Sequence, residues 1–121
     1  MAGRYDITIE QGATFDLPVT YTNSDGTPFV LTDYTLRGQI RRHIKSDDIV
    51  ASFTFDMAGE AIGHFHAQLT AAITAGIEAG ETVADPRSKY VYDIEAEHDS
   101  THEVRRILEG NVSVSPEVTR P

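Results

Sequence analysis

The chain has 121 residues, of which 40% are hydrophobic, and this is the size and composition of one ordinary domain. It contains no cysteine, which excludes disulfides, thiolate metal sites and cysteine catalysis. Ten Lys and Arg against 19 Asp and Glu give a formal net charge of -9. Such a surface repels phosphate backbones, so we predict no nucleic-acid partner.

The N-terminal segment has the two-residue alternation of a half-buried strand. Tyr5, Ile7 and Ile9 fall on one face of a strand predicted over residues 4–10. Gly12 then breaks the pattern and is suited to a positive φ. A second strand starts near Thr14, and because Pro18 has no N–H to donate, this strand is predicted to be an edge strand or to carry a bulge there.

The middle of the chain alternates strand patterns with turn signals. Residues 23–28 contain Asp25-Gly26, which favours a tight reversal. Three further strands are predicted, over residues 35–43, 49–55 and 63–69. The alanine-rich stretch 70–77 that follows predicts one short helix, with Thr70 as its N-cap.

The C-terminal part of the chain predicts a long hairpin. Residues 89–97 alternate apolar and acidic side chains, residues 99–102 make the turn, and a last strand covers residues 103–115. The phase of the last strand changes near Ile107, which indicates a bulge. Seven strands with turns about every ten residues predict an all-β, antiparallel sandwich with one short helix. We assign residues 1–115 to this single domain and residues 116–121 to a short, unanchored C-terminal tail.

Histidine pairs are the only metal-site candidates that the sequence offers. His64 and His66 share one face of a strand at a spacing that can chelate a metal, and His98 and His102 flank the predicted hairpin turn. No third ligand is apparent in the sequence, and such pairs are common on solvated strand faces. We therefore predict no metal and no other cofactor.

No stretch has the residues of a catalytic site. Glu95 and Glu97 share a strand face, and their simplest interpretation is a charged, solvated face. Serines lie outside any nucleophile-elbow context, and there is no glycine loop for phosphate. Asp93 is different: if its face of the strand is covered, it needs a donor such as an arginine. The protein is predicted not to be an enzyme.

Two long stretches resemble small virion structural proteins of tailed bacteriophages. The first comprises residues 6–15, continuing through the DGTP turn at 25–28 to residues 39–41. The second is the YVYDIE strand at 90–95, continuing through residues 106–110 and 112–120. Both are similar to the immunoglobulin-like N-terminal module of phage baseplate upper proteins. The resemblance implies an immunoglobulin-like sandwich that docks onto other virion proteins and has no catalytic residues.

This resemblance sets the functional expectation. The chain is predicted to be a tail or baseplate component, assembled in the bacterial host cytoplasm into the virion, where it forms oligomers with other phage structural proteins. Neither a membrane span nor a signal peptide is seen, so no membrane partner is predicted. The residues predicted to make the contacts lie near both ends of the chain: Arg4, Tyr5, Glu117, Val118, Thr119 and Arg120.

Three alternatives remain open at this point. A capsid decoration or neck protein belongs to the same class of virion structural proteins. A carbohydrate-binding module for host attachment requires exposed aromatic side chains, and the absence of tryptophan weakens it. A metal-dependent hydrolase using His64 and His66 is the weakest alternative.

Overall fold

The computed structural model describes residues 3–79 and 87–119, with the backbone alone at 87–89. Nine strands lie in these ranges: β1 Gly3–Arg4, β2 Ile7–Glu10, β3 Phe15–Thr20, β4 Tyr34–Arg41, β5 Ala51–Ser52, β6 Thr54–Asp56, β7 His64–Leu69, β8 Arg87–His98 and β9 Val104–Ser115. A 3-10 turn covers Glu60–Ile62, and helix α1 covers Ala71–Ala75.

The strands form two sheets that face each other. The large sheet has the order β1-β9-β8-β4-β5, with β2 also paired to β9, and the small sheet has the order β3-β7-β6. Their inner faces enclose a hydrophobic core that includes the fully buried side chains Ile9, Ile40, Phe65, Ile94 and Val114. The predicted all-β sandwich with one short helix is therefore confirmed.

Pairing is antiparallel between the described strands, except at the N-terminus. Both β1 and β2 run parallel to β9. The strand predicted over residues 4–10 is also interrupted, because at its centre the Asp6 carboxylate accepts a hydrogen bond from the backbone N–H of Asn111 at 2.9 Å. The Asp6 carboxylate thus takes the place of a backbone carbonyl as the acceptor for Asn111, and regular strand pairing resumes at Ile7.

The strand predicted over residues 49–55 is divided between the two sheets. Ala51 and Ser52 pair with β4, whereas β6 pairs with β7. The crossing occurs at Phe53, whose N–H donates to the Gly38 carbonyl at 2.9 Å and whose side chain is buried. A Cβ at Gly38 would lie 3.0 Å from the Phe53 ring, so the glycine leaves the space that this crossing needs.

Local predictions about Pro18, Gly12 and Ile107 are confirmed. Pro18 lies in β3, an edge strand of the small sheet, where it does not interrupt a central ladder. Gly12 has a φ of +85°. In the hairpin, Ile94 pairs with Leu108 and Glu95 with Arg106, so Ile107 is the extra residue of a bulge.

Helix α1 begins as predicted and is tied to the N-terminal turn. The Thr70 hydroxyl accepts from the Ile73 N–H at 3.3 Å. The Thr74 hydroxyl is fully buried; it accepts from the Gly12 N–H at 3.1 Å and donates to the Ala13 carbonyl at 2.8 Å. Thr74 thereby satisfies polar backbone groups that the turn would otherwise bury without a partner. No helix within the described residues has the length and apolar character required to cross a membrane.

The start of the C-terminal tail is packed against the same turn, unlike the prediction that it is unanchored. The Gln11 amide donates to the Ile77 carbonyl at 2.8 Å, and its oxygen accepts from the Glu117 N–H at 3.0 Å. One side chain therefore joins the turn, the residues after α1 and the tail. This contact was not predicted because it links residues that are far apart in sequence.

Candidate interaction surface

The outer face of the large sheet carries a depression of about 370 Å³, which we call the outer-face depression. It lies across β4, β8 and β9 and is bordered by β1. Its polar lining residues are Arg4, Gln39, Arg41, Asp93, Arg106, Glu109 and Asn111. Ile44 and Val91 add an apolar part, and the Ile44 side chain is 84% exposed.

Strand alternation sends these side chains outward. In β8, Tyr90, Tyr92 and Ile94 are buried in the core, so the intervening Val91 and Asp93 face the depression. Asp93 pairs in register with Glu109 of β9 and Gln39 of β4. Side chains from three adjacent strands are therefore brought together on one face.

Charges of both signs are held in fixed positions around this depression. The Arg106 guanidinium lies 3.6 Å from the Asp93 carboxylate and donates to Glu109 at 3.2 Å. Arg41 donates to the Gln39 amide oxygen and to the Ser46 carbonyl, each at 2.8 Å. These contacts give Arg41, Asp93, Arg106 and Glu109 defined orientations around the depression.

The Asp93 carboxylate is partly exposed in the depression and has Arg106 as its cationic neighbour. Burial raises the pKa of its carboxyl, the neighbouring charge of Glu95 raises it further, and Arg106 acts in the opposite direction. From the sequence, a donor such as an arginine was expected only if this face were covered; the face is open here, and the Arg106 guanidinium lies beside Asp93 at 3.6 Å.

This raised pKa gives a testable dependence of stability on pH. A folded-state pKa above the unfolded value means that the folded state binds the proton more tightly. The contribution of Asp93 to stability is therefore largest when the pH is below the pKa of this carboxyl in the unfolded chain. The contribution falls as the pH rises through the pKa of Asp93 in the folded protein, and it stays lower at neutral pH. We expect Asp93→Asn to keep or raise the melting temperature at about pH 7, with the difference disappearing near pH 3.

Asp16→Asn is the matched control for this prediction. The pKa of the Asp16 carboxyl is lowered, first by its hydrogen bond with His66 and then by that with Gln68. Its stabilising contribution is thus present at neutral pH and lost in acid, and Asp16→Asn should lower the melting temperature at about pH 7. Thermal unfolding followed by circular dichroism measures both variants. A larger loss of melting temperature at about pH 7 for Asp93→Asn than for Asp16→Asn would contradict the raised pKa of Asp93 and the lowered pKa of Asp16.

Beside the depression, ion pairs link β4, β8 and the hairpin turn. Arg37 donates to Glu95 and to Glu97, both at 2.6 Å, and the His102 imidazole contacts Glu97 at 2.8 Å. These pairs agree with the predicted charged, solvated face. Because Arg37 is about half exposed, each pair adds little to stability, and the network serves mainly to fix side-chain positions.

The structure places the predicted N-terminal contact residues at the edge of this face. Arg4 pairs in register with Glu109 and lines the depression. Tyr5 is 55% exposed, while its carbonyl accepts a hydrogen bond from the Tyr92 hydroxyl and its N–H donates to Glu109 at 2.9 Å. The backbone of Tyr5 is therefore fixed, whereas its ring is available for contact.

The predicted C-terminal contact residues lie elsewhere. β2 and β9 run parallel from Ile7↔Val112 to Glu10↔Ser115, so the tail leaves the sheet at the C-terminal end of β9, whereas Arg4 pairs with Glu109 near the middle of that strand. Glu117 is half-buried near Gly12, and Val118 and Thr119 are exposed. Arg120 falls outside the described residues. The two predicted groups share one sheet edge and do not form a single site.

The histidine candidates separate into two unrelated places. His64 and His66 face outward on the small sheet, and their rings are 5.1 Å apart. The His98 Nδ1 accepts from backbone N–H groups of the hairpin turn, whereas His102 contacts Glu97. Within the described residues, no group of three or more His, Cys, Asp or Glu side chains is arranged to hold a metal.

Sequence reasoning missed most of the depression. Gln39, Arg41, Glu109 and Asn111 were not singled out as contact residues by the sequence analysis. Asp93 was the available signal, because an isolated acid between large apolar residues on a central strand needs a partner. The identity of that partner depended on the register of β8 with β9, which includes the bulge at Ile107.

Comparisons with known proteins identify only the fold. No protein-family model matches the sequence, and no curated protein matches it. Among solved structures, a chicken TCR matches with a TM-score of 0.53 and 10% identity, covering 96% of this chain and 55% of that chain. The chain thus spans about half the length of the TCR chain. The NK cell receptor NKp44, a triggering partner in natural cytotoxicity, matches with a TM-score of 0.46 and 12% identity, covering 95% of this chain and 99% of that chain.

The TCR match and the strand order agree. The fold is immunoglobulin-like. In an immunoglobulin sandwich, strands B, E and D lie in one sheet and strands C, F and G in the other. The order β3-β7-β6 corresponds to B-E-D, and the order β9-β8-β4 corresponds to G-F-C. The outer-face depression therefore lies on the sheet equivalent to the C, F and G strands. The core is built without a disulfide, since the chain has no cysteine.

Proposed function

We propose that this protein is a non-enzymatic structural component of a tailed-bacteriophage tail or baseplate. It is assembled in the bacterial host cytoplasm and acts in the virion, where it forms oligomers with neighbouring structural proteins. Its main contact is the outer-face depression together with the exposed ring of Tyr5 at the adjacent edge. This function joins the resemblance of the sequence to phage virion proteins with the immunoglobulin-like fold of the chain.

The observation that carries the proposal is the composition of the outer-face depression. Protein interfaces are enriched in arginine and aromatic side chains around an apolar centre. Arg4, Arg41 and Arg106 all line the depression, and Ile44 projects into solvent beside them. Paired charges whose geometry is already fixed favour one complementary partner over others, as an ordered assembly requires.

The stretches that resemble phage proteins surround this face. Residues 90–95 form the centre of β8, and residues 106–110 form the part of β9 that pairs with it. Residues 39–41 are the end of β4 beside them. The resemblance therefore includes the three strands that build the depression, together with β2, the start of β3 and the tail.

The composition of the depression favours a protein partner over a carbohydrate. Sugar-binding sites stack a ring of the sugar on an exposed aromatic side chain. Tyr92, the aromatic residue of the lining, is only 4% exposed, and its hydroxyl is bonded to the Tyr5 carbonyl. The exposed Tyr5 ring lies at the adjacent edge, outside the lining of the depression. The position of the chain in the particle distinguishes a tail or baseplate component from a decoration or neck protein.

Reversal of one charge in the depression tests this proposal. Arg106→Glu places like charges beside Asp93 and Glu109, and we expect the variant to enter particles at less than about a tenth of the wild-type level. Arg42→Glu is the matched control, because Arg42 and Arg106 both have side chains 55% exposed and both make surface ion pairs. Arg42 lies outside the lining, so its variant should be incorporated normally.

The measurement is the amount of each variant in purified particles of the phage that encodes the chain, determined by quantitative mass spectrometry. Circular dichroism of the isolated variants checks that both are folded. Absence of the wild-type chain from the particles would overturn the proposed function. Equal incorporation of Arg106→Glu and Arg42→Glu would overturn the role of the depression.

A further inference from the structure

We propose that His64 and His66 together chelate one divalent transition-metal ion, with Zn²⁺ and Ni²⁺ as suitable ions, through their Nε2 atoms. The site lies on the outer face of the small sheet and is independent of the outer-face depression on the other sheet. Imidazole nitrogen is a favoured ligand of both ions. Four observations on β3, β6 and β7 support the assignment.

The first observation is the spacing of the two rings. His64 and His66 are two residues apart in β7 and therefore share a face, and their ring centroids are 5.1 Å apart at an interplanar angle of 88°. Two imidazoles bound through nitrogen to one tetrahedral ion, with metal–nitrogen distances of about 2.0–2.1 Å, have centroids about 5 Å apart. The observed centroid separation therefore matches the one that a chelate requires.

The second observation is the contact that orients His66. Its Nδ1 lies 2.9 Å and 3.1 Å from the two carboxylate oxygens of Asp16, so Nδ1–H donates to the acid. The Gln68 amide donates to Asp16 at 3.0 Å and holds the carboxylate in place. A carboxylate on the second ring nitrogen is the usual support of a metal-ligating histidine, because it fixes the tautomer that leaves the Nε2 lone pair available.

The third observation is the equivalent contact of His64. Its Nδ1 lies 3.1 Å from the Thr20 hydroxyl, which accepts when Nδ1 carries the proton. In residues 3–79 and 87–119, both rings make their side-chain hydrogen bonds through Nδ1, and Nε2 of each ring has no hydrogen-bond partner there. Both rings are partly exposed, so an ion in solvent can reach them.

The fourth observation is the charge of the surrounding face. Asp56 of β6 pairs in register with His66, and Asp16 comes from β3 on the other side. None of the strands β3, β6 and β7 contains a lysine or arginine. The local field therefore attracts a cation. With two histidine ligands from the protein, the remaining coordination positions are filled by water.

Calorimetric titration of the purified protein with ZnCl₂ and with NiCl₂ at neutral pH tests the site. We expect one ion per chain, with binding weakened at least tenfold by His64→Ala or by His66→Ala, because each variant removes one arm of the chelate. Asp16→Asn keeps both ligands but removes the acceptor on Nδ1, and it should weaken binding by about tenfold or more.

The matched control is the double variant His98→Ala/His102→Ala, which removes two histidines from the hairpin and should bind as the wild type does. Nitrogen-15 NMR of the histidine rings gives a second readout, since Zn²⁺ should shift Nε2 of His64 and His66 and leave Nδ1 protonated. No binding by the wild-type protein would overturn the site. Binding retained by His64→Ala/His66→Ala but lost in the hairpin variant would overturn it as well.

Discussion

Phe65→Ala is expected to lower the free energy of unfolding by about 3–5 kcal/mol, the usual cost of deleting a buried phenylalanine ring. Phe65 lies at the centre of β7, is fully buried, and meets the Phe55 ring at a centroid distance of 5.9 Å. The small sheet has three strands and packs on the core mainly through β7. Removal of this ring leaves a cavity between the sheets that short neighbouring strands cannot close.

Ile62→Ala is the control for this truncation. The Ile62 side chain is 60% exposed, so its removal should change the free energy of unfolding by less than about 0.5 kcal/mol. Urea denaturation followed by circular dichroism measures both variants. A similar, small effect of the two truncations would show that the sandwich does not depend on packing around β7.

Gly110→Ala is expected to cost about 2–3 kcal/mol and to detach the N-terminal segment from β9. A Cβ at position 110 would lie 2.2 Å from the Tyr5 carbonyl oxygen, a backbone atom that cannot move without loss of the neighbouring pairing. The same carbonyl accepts the hydrogen bond from the Tyr92 hydroxyl. One added methyl group therefore disturbs β1, the Tyr5 backbone and the edge of the outer-face depression together.

Gly76→Ala provides the matched comparison, because its Cβ would be 3.5 Å from the nearest atom, at ordinary van der Waals distance. Amide hydrogen exchange shows the position of the effect: in Gly110→Ala, the Tyr5 amide that donates to Glu109 should lose protection, while amides of β3 and β7 keep theirs. Equal stability of the two alanine variants would contradict the close approach of Tyr5 to β9.

The sequence alone was sufficient for features that depend on local periodicity. The alternation in residues 90–96 correctly places Tyr90, Tyr92, Ile94 and Ala96 in the core. The change of phase near Ile107 correctly locates the bulge, and Thr70 correctly marks the start of α1. Each of these follows from the orientation of side chains within one element, which neighbouring residues determine.

Local sequence patterns did not predict which distant segments pair with each other. An alternating strand has the same pattern whether its partner is parallel or antiparallel, so the parallel pairing of β1 and β2 with β9 was not predicted. The division of residues 49–55 between two sheets depends on the space above Gly38, in another strand. The depression combines β1, β4, β8 and β9, and its geometry follows from those pairings.

Cryo-electron microscopy of the phage particles proposed to contain this chain tests most directly the proposal that it is a phage virion component docking through its outer-face depression. We expect density for the immunoglobulin-like domain in the tail or baseplate, with the outer-face depression covered by a neighbouring virion protein and a partner group close to Asp93 and Arg106. A location on the shell or neck would instead indicate a decoration or neck protein. A particle without this domain, or with the depression open to solvent, would contradict the account.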